Sequence, residues 1–176
     1  MSDKLTIDDW IQKGINESDF KKSIDFFEEA LFLNPENQDA LYHKGITFLQ
    51  RKQYQDAYRT LKTLTKLNNK HSEAWYSMGL ACEMCTDNIP ANKFYGKAVT
   101  LDPHHIDALN GLLRLSNKNS RKIYCFKRLA ETIPYDTKYW IELVELNLIE
   151  DEINSASKNL SQALSHHPNN KKLTEL

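Results

Sequence analysis

Cys82-Glu83-Met84-Cys85 sets two thiols three residues apart, which on a helix turns both to one side. Two thiolates so placed could share a zinc ion or work as a redox pair. A tetrahedral zinc needs two further ligands, and the sequence holds no second C-x-x-C and no paired H-x3-H. Cys125 stands apart. His104-His105 and His166-His167 are adjacent pairs, and neighbours on an exposed turn rarely converge on one ion. No serine or cysteine has a histidine and a carboxylate at an interpretable spacing. Five glycines in the whole chain leave hardly enough for a phosphate-cradling loop. The expectation is a non-catalytic chain without metal or cofactor, with core cysteines that stay reduced.

The elements that carry these residues repeat. The step from Pro35 to Pro103 is twice the step from Pro134 to Pro168, and the step from Pro103 to Pro134 falls only three short of that unit. The midpoint of the long gap is Asn69, in Leu67-Asn68-Asn69, which echoes Leu33-Asn34-Pro35 and Leu101-Asp102-Pro103. Eight residues before these points stand Phe27, Leu61, Tyr95, Phe126 and Leu160, and five before stand Ala30, Leu64, Ala98, Leu129 and Ala163. A large and a small apolar group three residues apart mark one face of a helix, here called B. A second series, Ile7, Leu41, Trp75, Leu109 and Trp140, marks a helix A ahead of it. Gly45 and Gly79 follow Leu41 and Trp75 by four residues. Lacking a side chain, they let helix B approach helix A closely.

The third unit reads Trp75, Met78-Gly79, Cys82, Ala91, Tyr95, Ala98 and Pro103. The second reads Leu41, Lys44-Gly45, Phe48, Ala57, Leu61, Leu64 and Asn69. The fifth reads Trp140, Leu143-Val144, Asn147, Ala156, Leu160, Ala163 and Pro168. The first has Ile7, Trp10-Ile11 and Gly14, then Ser23, Phe27, Ala30 and Pro35. The fourth carries Leu112-Leu113 in place of leucine-glycine and lacks three residues near 116–121. This pattern resembles the tetratricopeptide repeat, with units at 4–37, 38–71, 72–105, 106–136 and 137–170 in a single domain spanning 4–170 and a stub at 171–176. The resemblance implies an all-α, right-handed superhelical solenoid of about five helix-turn-helix repeats, with A helices lining the concave side and each pair contacting its neighbours.

The implied function is a protein-interaction scaffold that takes a peptide or helix in its groove. Candidate groove residues are Asp39, Tyr42, Ile46 and Leu49, then Glu73, Tyr76 and Leu80, then Asn110 and Arg114. Tyrosines one repeat apart would make an aromatic–aliphatic ladder edged by carboxylates. The alternative is that they only pad the packing between repeats. Many such domains clamp the acidic tail of heat-shock chaperones with lysine, arginine and asparagine on successive A helices. At those places this chain has Asp8 and Gln12, then Tyr42, His43 and Ile46, then Tyr76, Ser77 and Leu80. The acidic tail is therefore disfavoured, and a ligand with an apolar strip and basic residues is expected.

Composition narrows the class further. Lys+Arg is 23 against 24 Asp+Glu, a net charge of -1, whereas phosphate-driven nucleic-acid binding wants a basic excess. An RNA-binding helical repeat is the least favoured reading. No apolar run approaches the roughly 18 residues of a membrane helix, the start MSDKLTIDDW has no signal core, and three cysteines suit no secreted disulfide framework. The expectation is a cytoplasmic protein. After Pro168 the chain is too short for the usual capping helix, so Trp140, Leu143, Val144, Leu160 and Leu164 are expected to form an exposed end. Such an end would pair with a second copy, meet a partner or continue into a longer array. Self-association, or a structural part in a larger assembly, is thus the rival to peptide binding.

Overall fold

The computed structural model describes residues 5–176. All its regular structure is helical, with no strand among the described residues. Its contacts group into two compact units, Met1–Leu101 and Asp102–Leu176. Lys4, the first residue of the span expected over 4–170, lies outside the described residues.

The first unit holds α1 (Ile7–Asn16), α2 (Phe20–Leu33), α3 (Gln38–Gln50), α4 (Tyr54–Leu67), α5 (Ser72–Met84) and α6 (Asn88–Leu101). Consecutive helices pack on one another as antiparallel A–B pairs, and α2 also packs on α3 and α4 on α5. The core runs through Phe27, Ala30 and Ala40, then Leu41, Leu61, Leu64, Ala74 and Met78. Gly45 and Gly79 stand where helices cross closely: a Cβ would lie 2.7 Å from Leu61 at the first and 2.6 Å from Tyr95 at the second.

The second unit holds α7 (Ile106–Leu115), α8 (Asn119–Thr132), α9 (Thr137–Ile149), α10 (Ile153–His166) and the one-turn α11 (Lys171–Thr174). Its core gathers Ala130, Trp140, Leu143, Ala163 and Leu173.

Local chemistry fixes the helix ends. Each A helix opens on a polar residue whose side chain accepts a backbone N–H of the first turn: Thr6, Asn37, His71, His105 and Asp136, with Asn170 doing the same for α11. Three A–B turns end in Schellman motifs. In the first, Lys52 N–H donates to Leu49 C=O and Gln53 N–H to Phe48 C=O; Thr86–Asp87 and Asp151–Glu152 repeat the arrangement. The motif demands a left-handed residue, and Lys52, Thr86 and Asp151 take φ of 60, 62 and 59°.

Two sequence assignments need correction. In the first repeat, Gly14 rather than Ile11 takes the close crossing, facing Phe27 at 2.6 Å from its would-be Cβ. The cap Thr6 and the pair Trp10/Gly14 precede Asn37 and Leu41/Gly45 by the same short step that separates Pro103 from Pro134. The first repeat is therefore shortened like the fourth, and Ile7 only imitated the register. In both cases the missing residues come from the end of helix A. α1 and α7 have 10 residues where α3 has 13, and the turns keep their length.

The second correction concerns the C-terminal repeat. Trp140 is 3 % exposed, Leu143 and Val144 are buried, and Leu160 and Leu164 are partly buried. Asn170 caps α11, and that single turn delivers Leu173, with no exposed surface, into their midst. One leucine on a capped turn thus covers part of the end that was expected to be exposed.

Candidate functional site

In the first unit the candidate groove residues lie on α3 and α5. Asp39 and Glu73 occupy the first turns and are exposed, where the helix dipole favours carboxylates. Tyr42, Ile46, Leu49, Tyr76 and Leu80 are all partly buried.

The two tyrosines, one repeat apart, do different work. Tyr42 packs with Leu49 against the core, and its ring lies 5.1 Å from that of His71 and 5.4 Å from that of His43. Burial raises its phenol pKa and Glu73 adds to this, against a hydrogen bond with Ser77. Tyr42 thus ties α3 to α5. Tyr76 instead stacks on Tyr95 at 5.7 Å, within its own repeat. Tyr95 is buried, and its hydroxyl donates to the Glu83 carboxylate.

Ile46 opens onto a recess of about 150 Å³ whose lining includes Phe20, Ser23, Phe27, His43, Thr47 and Arg51. Ser23 Oγ donates to Gly14 C=O at 2.8 Å, and the buried Phe27 stacks on His43 at 6.3 Å, while Glu17, Ser18, Gln50 and Arg51 make much of the lining polar. Burial lowers the His43 pKa, opposed by Asp39. Arg51 lies over Phe20 at 5.6 Å and donates to Ser18 C=O at 3.4 Å. The sequence reading missed Phe20 and Arg51. Phe20 and Tyr54 open successive B helices one full repeat apart, and that spacing was the available signal.

On α7 of the second unit, Asn110 is partly buried and Arg114 exposed. The same unit holds a polar network that sequence reasoning passed over. Asn159 donates to Asn147 at 2.7 Å, and Asn147 donates to Glu152 at 3.2 Å, on the wall of a cavity of about 320 Å³ with Lys127 and Lys158. The signal was Asn147 standing where the repeat pattern has a tyrosine.

The residues singled out for metal or redox chemistry are distributed otherwise. Cys82 lines a cleft of about 280 Å³ with Tyr54, Tyr58, Cys85 and Pro90. Burial, then Asp87 and Cys85, pushes its thiol up to about 11. Cys125 is buried and also pushed up to about 11 by desolvation. His105 caps α7, and His104 Nδ1 meets Thr132 Oγ1 at 2.7 Å. His166 stacks on Trp140, and His167 Nε2 meets Pro134 C=O at 3.0 Å. Among the described residues, no three His, Cys, Asp or Glu side chains gather as metal ligands, and no helix is long and apolar enough to cross a membrane.

Repeated antiparallel pairs with glycine crossings and polar caps define a helical-repeat protein. Residues 15–80 match the family model described as tetratricopeptide repeat. A tetratricopeptide repeat-containing protein, trd-1, of Caenorhabditis elegans is 23 % identical over 69 % of this chain and 16 % of its own length. The heat shock protein sti1 homolog of Schizosaccharomyces pombe is 26 % identical over 56 % of this chain and 17 % of its own. The chain thus spans about a sixth of the length of these curated relatives. The crystal structure of the MamA protein superposes with a TM-score of 0.69 at 20 % identity, covering 92 % of both chains. Over residues 15–80 the chain thus resembles the tetratricopeptide repeat, and the likeness to MamA shows a shared helical-repeat fold.

Proposed function

We propose that the α3–α5 face of the first unit binds a short segment of a partner protein, without catalysis. The observation that carries this reading is the recess beside Ile46, the one groove candidate that lines a described cavity. An apolar side chain of the ligand would enter beside Ile46, against Phe20 and His43. Tyr76 and Leu80 would add flat apolar contact farther along, and exposed Asp39 and Glu73 would favour basic residues beside the anchor. Tyr42, tied to Ser77, is the support of this surface more than its contact. Asn110 and Arg114 are candidate contacts of the second unit.

The partner is a peptide rather than nucleic acid or membrane, in keeping with a net charge of -1. Three cysteines without a disulfide suit a reducing compartment, the cytoplasm. The acidic tail of a heat-shock chaperone is the ligand this face disfavours. Similarity to the heat shock protein sti1 homolog makes that peptide the necessary control.

The test is a panning of random dodecapeptides against the chain, followed by titration of the enriched sequences beside an acidic chaperone-tail peptide. Enriched peptides should carry one large apolar residue with a neighbouring lysine or arginine, and bind with affinity on the order of micromolar. Tyr76→Ala should weaken them by ~1–2 kcal/mol, and Ile46→Ala by a similar amount. Preference for the acidic peptide, or affinities unmoved by both substitutions, would refute this assignment of the surface.

A further inference from the structure

The α9–α10 turn of the second unit presents an apolar surface that the chain itself leaves uncovered. Leu148 is 39 %, Ile149 69 % and Ile153 56 % exposed. At the places of Ile149 and Ile153, the α3–α4 turn has Gln50 and Tyr54. The Schellman motif that closes the turn needs only backbone groups and a left-handed Asp151, so the fold does not call for aliphatic side chains here.

Charge is arranged around this surface in a particular way. The connector is Glu150-Asp151-Glu152. Asn119 Nδ2 donates to Glu150 Oε1 at 2.7 Å, which sets the first turn of α8 beside the connector. Lys118 and Lys122 belong to that basic start, the one exposed and the other partly buried. Glu150 and Glu152 are held by Asn119 and Asn147. Asp151, Lys118 and Lys122 form no ion pair among the described residues.

We propose that a second copy of this chain docks here, through a two-fold contact centred on Ile149 and Ile153. An isologous interface must be complementary to itself, so each sign of charge must be present on one patch, on either side of an apolar centre. This edge carries both signs, and in the proposed pair Asp151 of each copy meets Lys118 of the other. A partner of one charge would satisfy only half of it. The patch is small beside the roughly 800 Å² per partner of ordinary stable interfaces, so the pair is weak and concentration-dependent. The contact lies in the second unit and the proposed peptide surface in the first, so each can fail without the other.

The test is the mass of the whole chain by light scattering and sedimentation, from low to high micromolar concentration. The mass should climb from that of one chain, 20.5 kDa, towards twice that value. Ile149→Asp should hold it at one chain throughout. Asp151→Lys and Lys118→Glu alone should each weaken pairing about tenfold by setting like charges together. Lysine is compatible with the left-handed position, since Lys52 stands there in the α3–α4 turn. A mixture of the two variants, and the double variant alone, should pair more tightly than either single variant by itself, because the contact between positions 151 and 118 then joins opposite charges again. These sites are on the surface, and unchanged circular dichroism will show the variants folded. One-chain mass at every concentration overturns the proposal. So does pairing unaffected by Ile149→Asp, or a mixture no tighter than its parts.

Discussion

Tyr95 lies across Gly79 so closely that a β-carbon there would sit 2.6 Å from its ring. Tyr95 is fully buried, bonded to Glu83 and stacked on Tyr76, so it cannot swing aside without breaking those contacts. Gly79→Leu should therefore destabilise the chain by roughly 1–3 kcal/mol in denaturant melts through overpacking. Gly96 is the control, since a Cβ there meets nothing within 4 Å. Gly96→Ala should stabilise by about 0.5–1 kcal/mol, because alanine has the higher helix propensity. Equal effects at the two glycines would contradict the crossing geometry.

That crossing was legible in the sequence because Gly45 and Gly79 keep one distance from Leu41 and Trp75. So were the paired helices, since Ala57, Ala91 and Ala156 recur at one place of α4, α6 and α10 and are all buried. The register of α1 was not. Ile7 is apolar and stands one full repeat before Leu41, and only the contact of Gly14 with Phe27 shows that the alignment runs through Trp10. α11 was invisible because four residues carry no periodicity, so Leu173 reads as a tail residue until it is seen buried. In the candidate site, spacing made Tyr42 and Tyr76 equivalent. Their hydroxyl and ring partners, Ser77 and Tyr95, depend on rotamers and neighbours that spacing does not encode.

Thr86 holds a φ of 62°, where a β-branched side chain crowds its own backbone. Its Oγ1 donates to Cys85 C=O at 2.6 Å, which recovers part of that cost. Glycine adopts this conformation freely, although it loses more entropy on folding. Thr86→Gly should raise stability by about 0.5–1 kcal/mol. Thr86→Val, which keeps the branch and loses the hydrogen bond, should lower it. The same order of melting temperatures for both variants would refute the strain.

The three thiols should separate in alkylation rate. Cys85 is exposed, whereas Cys82 and Cys125 have thiols pushed up to about 11 and are respectively partly and fully buried. At pH 8 a thiol titrating near that value is thiolate to about one part in a thousand. Iodoacetamide should therefore mark Cys85 first in the folded chain, and all three in denaturant, as read by peptide mass mapping. Equal labelling of Cys82 in the folded chain would show that the cleft is open.

His43 should make the first unit sensitive to acid. Its pKa is lowered by burial, against a smaller opposing pull from Asp39, so the folded chain binds the proton less readily than the unfolded one. Stability from this group is thus full above the unfolded value of about 6.5 and falls as the pH drops through it towards the folded pKa. Melting temperatures at pH 7.5 and 5.5 should differ less in His43→Gln than in the parent. An equal difference would mean that other groups carry the acid response.

Leu173 should be worth more than its place near the chain end suggests. It is fully buried among Ala130, Trp140, Leu143 and Ala163, and it is delivered by a single turn whose cap is the Asn170 side chain accepting Leu173 N–H at 3.2 Å. Leu173→Ala leaves a void against Trp140 and should cost ~2–3 kcal/mol, at the lower end for buried leucines because a terminal turn can relax. Asn170→Ala removes the cap alone and should cost ~1 kcal/mol. The loss should be local, since a repeat unit is held by its neighbours. Amide exchange should accelerate in α9 and α10 while α1–α4 keep their protection. Protection in α9 and α10 unchanged by Leu173→Ala would show that α11 is ornament to the second unit, and that the apolar surface of Trp140 is closed by its own repeat.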